Sequence, residues 1–169
     1  MARCLREGAE LVETLDDDSY RTRVAQVMDA SVGGHYRHAL DHFRILLESG
    51  EDGVVDYDRR ERATAVEQDR AAALDETRRL IALVEKLPDG WAERRVTVRT
   101  LALRGGDAIS ETRSTTGREA VFCVLHAVHH HALIRVICGH LGRKLPSEFG
   151  IAPATVAAMA ETSGAPAAA

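Results

Sequence analysis

The stretch LHAVHHHALIRVICGHLG, residues 125–142, places His126, His129, His130, His131 and His140 in one short apolar segment. A lone buried imidazole is satisfied by hydrogen-bond partners, but several on neighbouring turns of one helix need something shared, and a metal ion is the usual candidate. Working outward, the apolar content from Ala120 to Leu141, with Thr116 and Glu119 at capping-box spacing, predicts a largely buried helix over 116–142. The chain has eight histidines, and the other three, His35, His38 and His42, share a second segment. There, VGGHYRHALDHFRILLE (32–48) sets Leu40, Phe43 and Leu47 on one side and Arg37, Asp41, Arg44 and Glu48 on another, which predicts an amphipathic helix.

Two more helices follow from the same periodicity. Residues 5–15 carry Leu5, Leu11, Val12 and Leu15 before the acidic stop DDDS at 16–19. The SGEDG stretch at 49–53 breaks the second helix, and residues 61–87 then run with Ala, Leu, Ile and Val at three- and four-residue intervals as far as Pro88. Between 94 and 113, Val96 and Val98 alternate with polar residues and GGD at 105–107 offers a turn, so a hairpin or irregular crossover separates the third and fourth helices. The expected fold is all-α, four helices in a single domain over 1–150. Residues 151–169 are an Ala/Pro-rich tail that is expected to fray outside a short TVAAMA segment.

Composition narrows the function classes. With 169 residues the chain can bury a core without disulfides, and 22 basic against 26 acidic residues give a net charge of -4, which argues against nucleic acid as a partner. Cys4, Cys123 and Cys138 are odd in number and lack C-x-x-C spacing, as in a reducing compartment. The amphipathic start MARCLREGAELVETL is no apolar signal core, and no run reads as a membrane span, so a soluble, unprocessed cytoplasmic protein is expected.

Residues four apart share a helix face, so His126 and His130 can aim at one point, as can His38 and His42. Two such ligands plus one from a neighbouring helix make three nitrogens, and an open fourth position is the pattern of a catalytic zinc site. Any one histidine alone reads better as an ordinary core or surface residue; the clustering favours metal, because uncompensated imidazoles on a buried helix each carry a desolvation cost. Periodicity leaves the ligand set open. The fourth helix is apolar nearly all round, so 126/130 is not separable from 126/129, and on the second helix His35 and His42 lie nearer the apolar arc than His38.

The blocks SVGGHYRHALDHF (31–43), DYDRRER (56–62), STTGREAVFCVLHAVHHHALI (114–134) and FGIAPAT (149–155), in this order, resemble the DinB/YfiT-like superfamily. That resemblance covers most of residues 1–155. It implies an up-down-down-up four-helix bundle, homodimers, and a divalent metal, zinc or nickel, held by three histidines, matching His38, His126 and His130. His35, His42, His129 and His131 exceed this set and are candidates for substitution or proton transfer. Asp41 and Glu119 are candidate partners for ring nitrogens; their plainer readings are an ion pair with Arg37 or Arg44, and a helix cap. Cys123 reads as a small buried hydrophobe. In DYDRRER, the favoured reading has Asp58 capping the next helix with the arginines solvated, and the functional alternative makes Arg60 the grip for an anionic substrate.

Characterised members of the superfamily include transferases and isomerases that use a low-molecular-weight thiol such as bacillithiol or mycothiol. The resemblance therefore implies a metal-dependent transferase acting on a small molecule. A metal-dependent hydrolase and a non-catalytic metal-binding stress-response protein are the alternatives.

Overall fold

The structure, a computed structural model, describes residues 1–49, 53–59, 61, 64–101 and 109–163. Helix α1 (Ala2–Thr14) buries Leu5, Leu11 and Val12. The acidic run that follows starts a new helix, because Asp16 accepts from the Ser19 amide at 2.7 Å and caps α2 (Asp17–Arg21). The open carbonyls at the end of α1 are met by Arg70, which donates to the oxygens of Val12, Glu13 and Leu15 and pairs with Asp17 at 3.0 Å.

Helix α3 (Val32–Glu48) has the expected bounds and is capped by Ser31, whose hydroxyl accepts from the Gly34 amide at 3.1 Å. Gly33, in its first turn, lets α4 (Ala65–Gln68) cross at close range: a Cβ there would sit 2.2 Å from the backbone oxygen of Glu67. The expected single helix over 61–87 is corrected to α4 and α5 (Arg70–Glu85). Asp69 divides them, extended at φ -120° and ψ 113°, its carboxylate accepting from the amides of Ala71 and Ala72 at 2.8 and 3.4 Å. A side chain that bonds its own downstream backbone starts helices better than it continues them.

The all-α expectation is also corrected. The fold is mostly helical but carries a three-stranded sheet, order β1-β2-β3, from β1 (Val54–Asp56), β2 (Arg95–Leu101) and β3 (Ile109–Thr115). Strands β2 and β3 are the expected hairpin, antiparallel with Val98 opposite Thr112; the GGD turn lies outside the described residues. Strand β1 adds parallel to β2, Val55 beside Val98, and Val55, Val96 and Val98 are buried.

Helix α6 (Thr116–His140) follows the hairpin without a loop. Its cap is Thr115, which accepts from the Arg118 amide at 3.2 Å; Thr116 instead donates to the carbonyl of Trp91, in a 3-10 turn at Trp91–Glu93. By length and composition α6 does reach the dimensions of a membrane span, contrary to the sequence reading, with a mean hydropathy of 1.5 over its most apolar 18 residues. It packs, however, against α3, α1 and β3. Helices α3 and α6 run antiparallel, His35 against His130 and the Cys123 thiol on the His42 carbonyl. Helices α1 and α5 are antiparallel too, through Arg6 with Glu85 and Arg78 with Glu13. Helix α5 meets α3 at Tyr36 and Thr77, whose hydroxyls are 2.8 Å apart, and at Glu48 and Arg79. Helix α7 (Pro153–Ser163) covers the TVAAMA segment.

Candidate metal centre

The antiparallel packing of α3 on α6 sets one histidine row against the other. His38, His126 and His130 each offer a ring nitrogen within 4.8 Å of the others. The Nε2 atoms of His126 and His38 are 3.1 Å apart, and so are those of His130 and His126. Metal–nitrogen bonds of about 2.0–2.1 Å at tetrahedral angles would separate ligand atoms by about 3.3 Å, so these residues fit a metal ion. A neutral imidazole carries one N–H, and a single ring nitrogen is either donor or acceptor, so His126 Nε2 cannot form good hydrogen bonds to both neighbours. A shared cation satisfies all three lone pairs. Burial, together with the charges of His38 and His126, holds the His130 imidazole far below the usual histidine range and keeps it in the neutral, ligating form.

The other candidates fall into distinct places. His35 is buried behind His130, Nδ1 to Nδ1 at 2.9 Å. His42 donates from Nδ1 to the His38 carbonyl at 3.0 Å, so its Nε2 carries the lone pair; its ring stacks on Tyr57 at 5.0 Å and lies 3.9 Å from that of His126. His129 is exposed, its ring centroid 6.4 Å from that of His126. Asp41 takes the ion-pair reading, bonded to Arg37 at 2.6 Å and Arg44 at 3.3 Å. Arg60 lies outside the described residues. Cys123 is buried as expected, its thiol pushed up to about 12 chiefly by burial.

Glu119 is not the cap it was expected to be. It is 2% exposed and accepts from Tyr57 Oη at 2.9 Å, Ser114 Oγ at 2.6 Å and Arg118 at 3.2 Å. Asp58 does not cap a helix either; it accepts from the Leu101 amide at 2.6 Å and so ties the loop after β1 to the end of β2. These contacts frame a cleft of about 520 Å³ that sequence reasoning missed. One wall is His38, His42 and Phe122; the other is the inner face of the hairpin, Val98, Thr100 and Thr112, with Tyr57 and Glu119 between. The alternation at Val96 and Val98 was the available signal, but it says that one strand face is covered, not by what.

No family model matches the sequence. A stretch of 103 residues, 61% of the chain, is 32% identical to FK506-binding protein 5 of Rhizopus delemar, and the chain spans about a quarter of that protein, 27%. The crystal structure of a DinB-like protein, YjoA, from Bacillus subtilis superposes with a TM-score of 0.58 at 19% identity, over 84% of this chain and 90% of that one. The three-histidine cluster and its cleft are thus built on a DinB-like fold.

Proposed function

We propose that the protein is a metal-dependent enzyme in which His38, His126 and His130 hold a divalent cation, zinc or nickel, and the adjoining cleft takes a small-molecule substrate. The observation that carries this reading is the convergence of three Nε2 atoms beside a cleft of about 520 Å³. Three nitrogen ligands leave a coordination position for substrate. A cation so held would supply Lewis acidity, favouring a thiolate or hydroxide nucleophile at neutral pH. His42, on the cleft wall with its lone pair at Nε2, accepts the proton released. Phe122 and Val98 give the cleft an apolar surface, and Thr100, Thr112 and Tyr57 give it hydroxyls, which suits a molecule of mixed polarity. Thiol transfer is the favoured reaction and hydrolysis the second.

The proposal extends to the architecture and setting. The four long helices form an up-down-down-up bundle, a course supported by the antiparallel pairs α1/α5 and α3/α6. A soluble cytoplasmic homodimer fits the exposed Val121, Leu125 and Val136 on the outer side of α6.

Metal analysis of protein purified without a nickel column tests the site: about one equivalent of zinc or nickel is expected, and none would remove the reading. Incubation with an electrophilic acceptor and a panel of low-molecular-weight thiols then separates the activities. Metal-dependent conjugation marks a transferase, turnover without thiol a hydrolase, and metal binding with neither a binding protein.

A further inference from the structure

Resting on the metal reading above, we propose that His35 is a positioning residue that selects the ligating tautomer of His130 and fixes its ring. The Nδ1 atoms of the two residues are 2.9 Å apart in the buried layer between α3 and α6. Two lone pairs cannot meet at that distance, so one nitrogen carries a proton and the other accepts it. If His35 were the donor, the single proton of neutral His130 would sit on Nε2, the atom that faces His126 at 3.1 Å, and ligation would be lost. With His130 the donor from Nδ1, its Nε2 keeps a lone pair for the metal, and the proton of His35 sits on its own Nε2.

Nε2 of His35 is buried and has no hydrogen-bond partner among the described residues. A buried unpaired N–H destabilises the fold, and a phenyl ring of similar shape would fill the same space without it. The imidazole is therefore explained by its Nδ1, the atom turned to His130. Metal-bound histidines are ordinarily held by a carboxylate or a carbonyl at the non-ligating nitrogen, and here a second histidine occupies that place.

The test compares His35→Phe, which keeps bulk and loses the acceptor, with His35→Asn, whose amide oxygen lies near the position of Nδ1. Zinc affinity is measured by competition with a chromophoric chelator, and thermal stability is measured on the metal-free protein. His35→Phe is expected to weaken zinc binding 10- to 100-fold while the metal-free Tm changes little, since losing the unpaired Nε2–H of His35 offsets the Nδ1–H of His130 left without its acceptor, and His35→Asn to recover most of the affinity. An affinity loss without a matching loss of metal-free stability separates positioning from packing. Wild-type zinc affinity in His35→Phe would overturn the proposal, and so would a fall in metal-free Tm that parallels the affinity loss. Should His35→Phe fail to fold, long-range 1H–15N spectra of the metal-free wild type decide: His130 protonated at Nδ1 with His35 protonated at Nε2 supports the proposal, and the reverse pair sinks it. A wild-type protein that takes up no zinc refutes the metal site itself, and the spectra then still report which tautomer pair is present.

Discussion

His129 and His130 are neighbours in sequence and opposite in situation. One is exposed, its ring edge-on to that of His130 at 5.3 Å, the other buried with Nε2 on His126 and Nδ1 on His35. Replacing His126 or His130 by Ala removes one of three ligands, and either variant is expected to lose zinc on dialysis against a weak chelator, while His129→Ala and His140→Ala keep it. Metal stoichiometry of the four variants checks this; full occupancy in the first two would refute the assignment. His38→Ala should lose zinc as the first two do, because His35 sits behind His130 with its Nδ1 turned to that ring; retained zinc in this variant would mark His42, whose Nε2 keeps its lone pair on the cleft wall, as a substitute ligand. The sequence made the cluster legible and left its members open for a physical reason. Burial on α3 ranks His35 and His42 above His38, yet His38, which lines the cleft, is only half-buried. An apolar-arc criterion therefore favours His35 and His42 over the proposed ligand, and the choice of His38 rests on family resemblance.

Helix α3 was legible to the residue because its amphipathic pattern and the Ser31 cap agree. The division of α4 from α5 was not, since apolar spacing continues across Asp69 and only the side-chain bonds to Ala71 and Ala72 reveal the break. Strand β1 escaped for a related reason: three residues are too few for alternation to show, and its pairing partner β2 starts about 40 residues on. The close crossing of α4 over α3 has a direct test in Gly33→Ala. The added methyl would meet the backbone of Glu67, which cannot rotate away as a side-chain tip could, and the ring of Tyr20 at 2.7 Å. Overpacking of this kind costs about 1–3 kcal/mol. For a chain of this size that lowers Tm by roughly 2–12 °C, and a thermal melt of the variant at wild-type Tm would show that α4 moves freely.

The cleft depends on the whole molecule, because the histidine wall comes from α3 and α6, the opposite wall from the hairpin, and Tyr57 from the loop between. No local pattern encodes such a meeting. The same assembly makes stability depend on pH. His131, on α6 beside His130, is 4% exposed and stacks on Phe149 at 4.7 Å; burial takes its pKa down to about 4. Unfolded, the same side chain titrates near about 6.5. Between those values the unfolded chain binds a proton that the folded one does not, so the folded state loses ground as pH falls through the window. The loss flattens below the folded value, after about 3 kcal/mol. On the proposed function, bound zinc would add a second dependence of the same sign. At 100 times its Kd it would stabilise the fold by about 2.7 kcal/mol near neutrality, and protons competing for the ligand imidazoles should erase that gain toward pH 5. Urea denaturation of metal-free protein from pH 7 to pH 4.5 separates the two. Wild type should weaken steadily, His131→Gln should lose the His131 share of the slope while the buried His130 and His35, also held below the usual histidine range, keep theirs, and zinc added at pH 7 should stabilise both proteins alike. Equal slopes in the two proteins would show that His131 is protonated in the folded state without penalty, and the acid sensitivity would then belong to the other buried histidines, His35 and His130.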